Sequence, residues 1–128
     1  MNITIASIVK STHNKILVEY STPYGKGLSV FTGSPPNANQ TLDVEINIDD
    51  EFIWGENLTP SSKNTPSISF ELGFTYITGE LIVIEDDGCG VLKIGDAIIL
   101  ISLEQKKHTL PIYVDIIAKE ISIHPTNI

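Results

Sequence analysis

Alternation of apolar and polar side chains with a period of two constrains this chain more than any other feature. In residues 67–76, Ile68, Phe70, Leu72, Phe74 and Tyr76 alternate with Ser67, Ser69, Glu71, Gly73 and Thr75. That is the pattern of a strand with one face buried, because successive side chains of an extended backbone point to opposite sides. Leu42, Val44, Ile46 and Ile48 alternate in the same way with Asp43, Glu45, Asn47 and Asp49, so the outward face of that strand is polar and mostly acidic. No stretch of ten or more residues holds a helical period.

Enrichment in β-branched residues between turn residues predicts further strands at 3–9, 16–20, 28–31, 81–84, 91–94, 97–103 and 112–123, the last with a bulge near Ala118. Turns are expected at Thr12-His13-Asn14, Pro23-Tyr24-Gly25, 33–37, Asp86-Asp87-Gly88 and Gly95-Asp96. Two long polar loops, 33–41 and 57–66, have little apolar surface to bury and are expected to be mobile, exposed surface connections, with contact loops as the alternative. Short strands at this spacing predict an all-β chain with little or no helix, either a small OB-like barrel or a two-sheet β-sandwich. Both faces of residues 81–84 and 98–101 are apolar, which predicts strands that are central or tightly curved in a closed sheet. A length of 128 residues with 41% hydrophobic composition fits one domain, 1–128, around one core.

Charge limits the partners. Sixteen acids face eight basic residues, all of them lysine, giving a net charge of −8 with no arginine. Nucleic-acid binding draws its affinity from phosphate neutralisation, and arginine is the preferred bidentate partner of phosphate and guanine, so no nucleic-acid target is expected. Tyr20, Tyr24, Tyr76, Tyr113 and Trp54 supply aromatics of the kind that stack on bases in OB-like grooves, but the basic groove is missing. No apolar run approaches the roughly 20 residues of a membrane-spanning helix, so no membrane partner is expected. The first residues lack the basic start and apolar middle of a secretory signal, and the lone Cys89 forms no internal disulfide; both point to the cytoplasm.

Catalytic and metal chemistry find no support in the residue pattern. His13, His108 and His124 stand in no metal-ligand spacing, and the chain has no paired cysteines. Cys89 follows Glu85, Asp86 and Asp87 closely, and acidic neighbours disfavour a nucleophilic thiolate. The same acids lack the alternate-position spacing of a calcium loop. No cofactor, no metal and no enzymatic activity are therefore expected.

What stands out is residues 43–56, with six acids and no lysine. As a strand they place Asp43, Glu45, Asn47 and Asp49 in one polar row, spaced about 6.6 Å apart. Trp54, the only tryptophan, sits among the acids, and aromatic residues surrounded by charge are common binding anchors; it also suits closure of the core. The candidate partner-binding residues are Asp43, Glu45, Asp49, Asp50, Glu51, Trp54 and Glu56, with a second acidic turn at Glu85, Asp86 and Asp87.

Two segments, 49–57 (DDEFIWGEN) and 79–88 (GELIVIEDDG) running on to Leu92-Lys93-Ile94-Gly95-Asp96, resemble small bacterial proteins of immunity type, about a quarter of the chain. The resemblance implies an antidote to a polymorphic or contact-dependent toxin. Toxic nucleases are basic because their substrate is polyanionic, so the implied partner is a cationic toxin protein, most simply a nuclease domain, whose active site or substrate surface is occluded. The alternatives are a nucleic-acid- or small-ligand-binding OB-like module and a metal- or cysteine-dependent enzyme.

Overall fold

The computed structural model describes residues 1–12, 15–104 and 108–126. It is all-β, 67% strand, with no helix among the described residues. Twelve strands follow in chain order: β1 (Asn2–Thr12), β2 (Lys15–Thr22), β3 (Gly25–Phe31), β4 (Thr41–Ile48), β5 (Glu51–Phe52), β6 (Leu58–Pro60), β7 (Ser67–Glu71), β8 (Phe74–Ile84), β9 (Cys89–Ile94), β10 (Ala97–Leu103), β11 (Ile112–Ala118) and β12 (Ile121–Pro125).

Five of these strands close a barrel. β1, β2 and β3 form an antiparallel meander, β3 runs parallel to β12, β12 pairs antiparallel with β4, and β4 returns to β1. Closure removes free edges that would otherwise invite pairing with other chains. A closed five-stranded barrel with extra strands is consistent with the small OB-like barrel or sandwich expected. Its interior is filled by the inward set of each strand, including Ile3, Ile5, Val18, Tyr20, Phe31, Val44, Ile46 and Ile123.

Residues 49–120 are inserted between β4 and β12 and extend the same sheet beyond the barrel as a second run of paired strands, the inserted sheet, in the order β5-β10-β9-β8-β11-β6. Only residues 53–57 separate β5 at one end of this sheet from β6 at the other, and Trp54 bridges Leu58. The sheet therefore curls until its ends meet around the fully buried Phe52 and Leu58. β7 extends β8 as a hairpin and touches the barrel through one bridge, Gly25 to Ile68.

Several expectations are corrected here. Residues 67–76 are not one strand but a hairpin that reverses at Leu72-Gly73, where both φ angles are positive, 51° and 88°. Alternation survives a two-residue turn, so the pattern alone does not reveal the reversal. A left-handed conformation costs a residue such as leucine about 1 kcal/mol or more. Residues 112–123 are two strands rather than one bulged strand, divided at Lys119-Glu120, the first paired with β8 and β6 and the second with β4 and β3. The loop 57–66 is not wholly exposed, since it contains β6 and the buried Leu58. His13 and Asn14 of the first expected turn lie outside the described residues.

Candidate functional site

The chain from Asp43 to Phe52 runs alongside β10. β5 pairs parallel with β10 through Ser102 opposite Glu51 and Leu103 opposite Phe52. Further back, Glu45 and Ile98 line one cavity of about 200 Å³ with Asp96. Along this stretch Asp43, Glu45, Asn47, Asp49 and Glu51 are exposed, and Val44, Ile46, Ile48, Asp50 and Phe52 are buried. The acidic row expected from the sequence is thus present, with Glu51 continuing it and Asp50 turned inward.

Each acid has a distinct local role. Asp43 accepts from Thr126 Oγ1 at 2.6 Å and pairs with the terminal amine of Met1 at 3.0 Å. These two contacts, the Thr126 hydrogen bond first, hold its carboxyl below the usual aspartate value. Glu45 contacts His124 Nε2 at 3.2 Å, and Asn47 Nδ2 lies 3.2 Å from His124 Nδ1. Glu51 accepts from Ser102 Oγ at 2.9 Å. Asp50, only 8% exposed, accepts the backbone amides of Lys119 and Glu120 at 3.1 and 2.7 Å. Its carboxylate is consumed in holding the turn between the inserted sheet and the barrel, so it supports the acidic row without standing in it.

The second acidic turn lies at the same end of the sheet as Glu51. Ser102 of β10 is flanked by Glu51 on one side and Cys89 on the other. Two strand spacings, roughly 10 Å, therefore separate Glu51 from Cys89. The amide of Cys89 donates to Asp87 at 3.0 Å, and Leu103 N–H donates to Gly88 O at 3.0 Å, fixing the turn against the end of β10. Glu85, Asp86 and Asp87 are all exposed. Glu56 is placed elsewhere: it lines a cavity with Tyr76, Thr78 and Asp115 on the β8–β11 side. Trp54 is half-buried against the core, its ring centroid 4.5 Å from that of His108. Its indole Nε1 is buried with no acceptor among the described residues.

Between the acidic row and the acidic turn lies a feature that the sequence reading missed. Ile98 and Leu100 on the outer face of β10 are 55% and 59% exposed. Leu100 is opposite Val91, which is opposite Val83 at 39% exposure, so four aliphatic side chains form one outward patch. β10 is flanked by β9 and β5, in keeping with the central or tightly curved position expected, and the outer side chains Ile98 and Leu100 are exposed among the described residues. Acids flank the patch at Glu45 and Asp96 beside Ile98, at Glu51 opposite Ser102 and at residues 85–87 beyond Val83, and Lys93 lies opposite Ile98. An apolar centre with a charged rim is the usual anatomy of a protein–protein contact.

Charge is segregated along the fold. Residues 1–40 carry three lysines and one acid, and residues 41–128 carry five lysines and fifteen acids, so charges of +2 and −10 compose the net −8. The negative field therefore emanates from β4 and the inserted sheet.

A concavity of about 570 Å³ lies elsewhere, at the barrel end between Phe31, Pro35, Pro36, Leu42, Gln40 and His124. Among the described residues no three His, Cys, Asp or Glu side chains converge as a metal site would. Comparison with known proteins adds no relative: no family model, no curated protein and no solved structure matches this chain.

Proposed function

We propose that this chain is a cytoplasmic, immunity-type binding protein that neutralises a cationic toxin, a nuclease domain in the simplest case, by covering its active site or substrate surface. The observation that carries this reading is the aliphatic patch of Val83, Val91, Ile98 and Leu100 set within the acidic rim. Acids at the rim raise the encounter rate with a basic surface and select its orientation. The aliphatic centre supplies the desolvated contact that determines how long the complex lasts. The role needs no catalytic group, cofactor or metal. It needs a rigid sheet, which the barrel and its inserted partner provide.

The acids assigned to contact are Asp43, Glu45, Asp49, Glu51, Glu85, Asp86 and Asp87, whereas Glu56 stands apart from them on the β8–β11 side. Asp50 and Trp54 act by holding that surface in place. The test begins with the neighbouring reading frame, where a basic toxin domain is expected and its absence would count against the reading, and proceeds to protection of cells that express that domain. The triple variant Glu45→Lys, Asp49→Lys, Glu51→Lys is expected to lose protection with an unchanged β-rich circular dichroism spectrum. Full protection by that variant would remove the acidic rim from the mechanism.

A further inference from the structure

We propose that the β7–β8 hairpin is an insertion element: Leu72 at its tip, backed by Phe74 and Tyr76, enters an apolar pocket of the cationic partner protein. The inference rests on the binding role above and adds to it a second anchor.

The turn Leu72-Gly73 has positive φ at both positions. A two-residue turn of this kind favours Asn-Gly or Asp-Gly, whose first residue tolerates the left-handed region. Leucine does not, because its Cβ crowds the carbonyl oxygen that follows. Nothing among the described residues offsets that strain, for Leu72 is 87% exposed. The fold would be served better by asparagine, and a strained residue that its own chain does not use points to a use outside it.

The surroundings define the occupant. Phe74 and Tyr76 are 40% and 37% exposed on one face of the hairpin, and Phe70 is 36% exposed on the other. Glu71 is the only charged residue in 67–79, and no lysine accompanies it. Such a tip on a chain of net charge −8 is repelled by an anionic membrane and attracted by an apolar pocket with a basic rim. Glu56 lies beside the hairpin base, in the cavity it shares with Tyr76.

Continuity with the aliphatic patch favours one partner for both. The outer face of β8 carries Phe74 and Tyr76 at one end and, past the bulge near Ile82, Val83 at the other. Nine residues of strand span about 30 Å. That matches the width of a standard contact of roughly 800 Å² per partner.

The test compares the full chain with its Leu72→Asn and Leu72→Gly variants. Both are expected to keep the β-rich spectrum and to raise Tm by roughly 3 °C or more, because the turn strain is relieved. Against a catalytically inactive form of the basic domain encoded beside the chain, dissociation is expected to quicken about tenfold or more with little change in association. Parental dissociation in both variants, with slow association in the charge-reversed triple variant, would overturn insertion and leave the binding role standing. No complex between the parent and the basic domain would remove both. Co-sedimentation with phosphatidylcholine–phosphatidylserine vesicles, or a dimer in light scattering, that is lost in Leu72→Asn would overturn it in favour of a lipid surface or a second copy.

Discussion

The Asp50 carboxylate accepts the backbone amide of Glu120 at 2.7 Å, binding the start of the inserted sheet to the turn that returns the chain to the barrel. The Lys119 amide donates to the same carboxylate at 3.1 Å, so one side chain closes both ends of the insertion. Hydrogen bonds to a buried charged acceptor are worth about 1.5–3 kcal/mol, and their loss orphans the two amides. Asp50→Ala is therefore expected to destabilise the fold by about 3 kcal/mol, lowering Tm by roughly 10 °C in thermal unfolding. Asp50→Asn, which keeps one acceptor, should lose less.

Tyr20 makes a prediction of opposite sign. Its hydroxyl is buried in the barrel with no partner among the described residues. An unsatisfied buried hydroxyl costs about 1–3 kcal/mol, so Tyr20→Phe is expected to leave stability unchanged or raise it by about 1 kcal/mol, read from urea unfolding.

Burial pushes the Tyr20 phenol up to about 12 from 10.0. The fold thus holds the neutral phenol while the unfolded chain ionises it, and this contribution is full below pH 10 and lost as pH rises toward 12. The urea midpoint of the parent should fall over that range, and Tyr20→Phe should remove this part of the fall.

Asp43 governs the acid side. Its carboxyl is held below 3.8 by the Thr126 hydrogen bond and then by the Met1 amine. A depressed carboxyl contributes stability above its unfolded value, and that contribution is lost as pH falls through the folded one. Asp43→Asn should have a lower urea midpoint than the parent at neutral pH, and the gap should close below pH 3.8. A gap independent of pH would show that the charge of Asp43 is not involved.

Much of this was legible in the residues. Period two located most strands, and Gly95-Asp96 and Asp86-Asp87-Gly88 fall at turns between strands as expected. The same alternation, continued from Val44 through Ile46 and Ile48, places Asp50 inward, so its structural use was readable and was obscured by counting acids as a cluster. Leu72-Gly73 was not readable as a reversal, because leucine is a residue that such turns avoid. The aliphatic patch was hidden for another reason. Pattern shows that Ile98 and Leu100 form a second apolar face, but only the placement of β10 between β9 and β5 shows that this face is left exposed among the described residues.

Leu100→Ser tests the centre of the patch. Leu100 is 59% exposed, so its replacement removes little buried area and should change stability by no more than about 0.5 kcal/mol. Dissociation from the basic domain should quicken about tenfold, as expected for a central anchor. Unchanged dissociation would place the contact elsewhere on the molecule.

The most direct test of an acid-rimmed inhibitor surface is the association rate of the parent chain with the inactive basic domain, measured by stopped flow across a salt series. Steered association predicts a rate near 10⁸ M⁻¹s⁻¹ at low salt that falls about tenfold or more toward physiological ionic strength, with dissociation nearly constant. A rate of roughly 10⁵–10⁶ M⁻¹s⁻¹ that ignores salt, or no complex at all, would contradict the account.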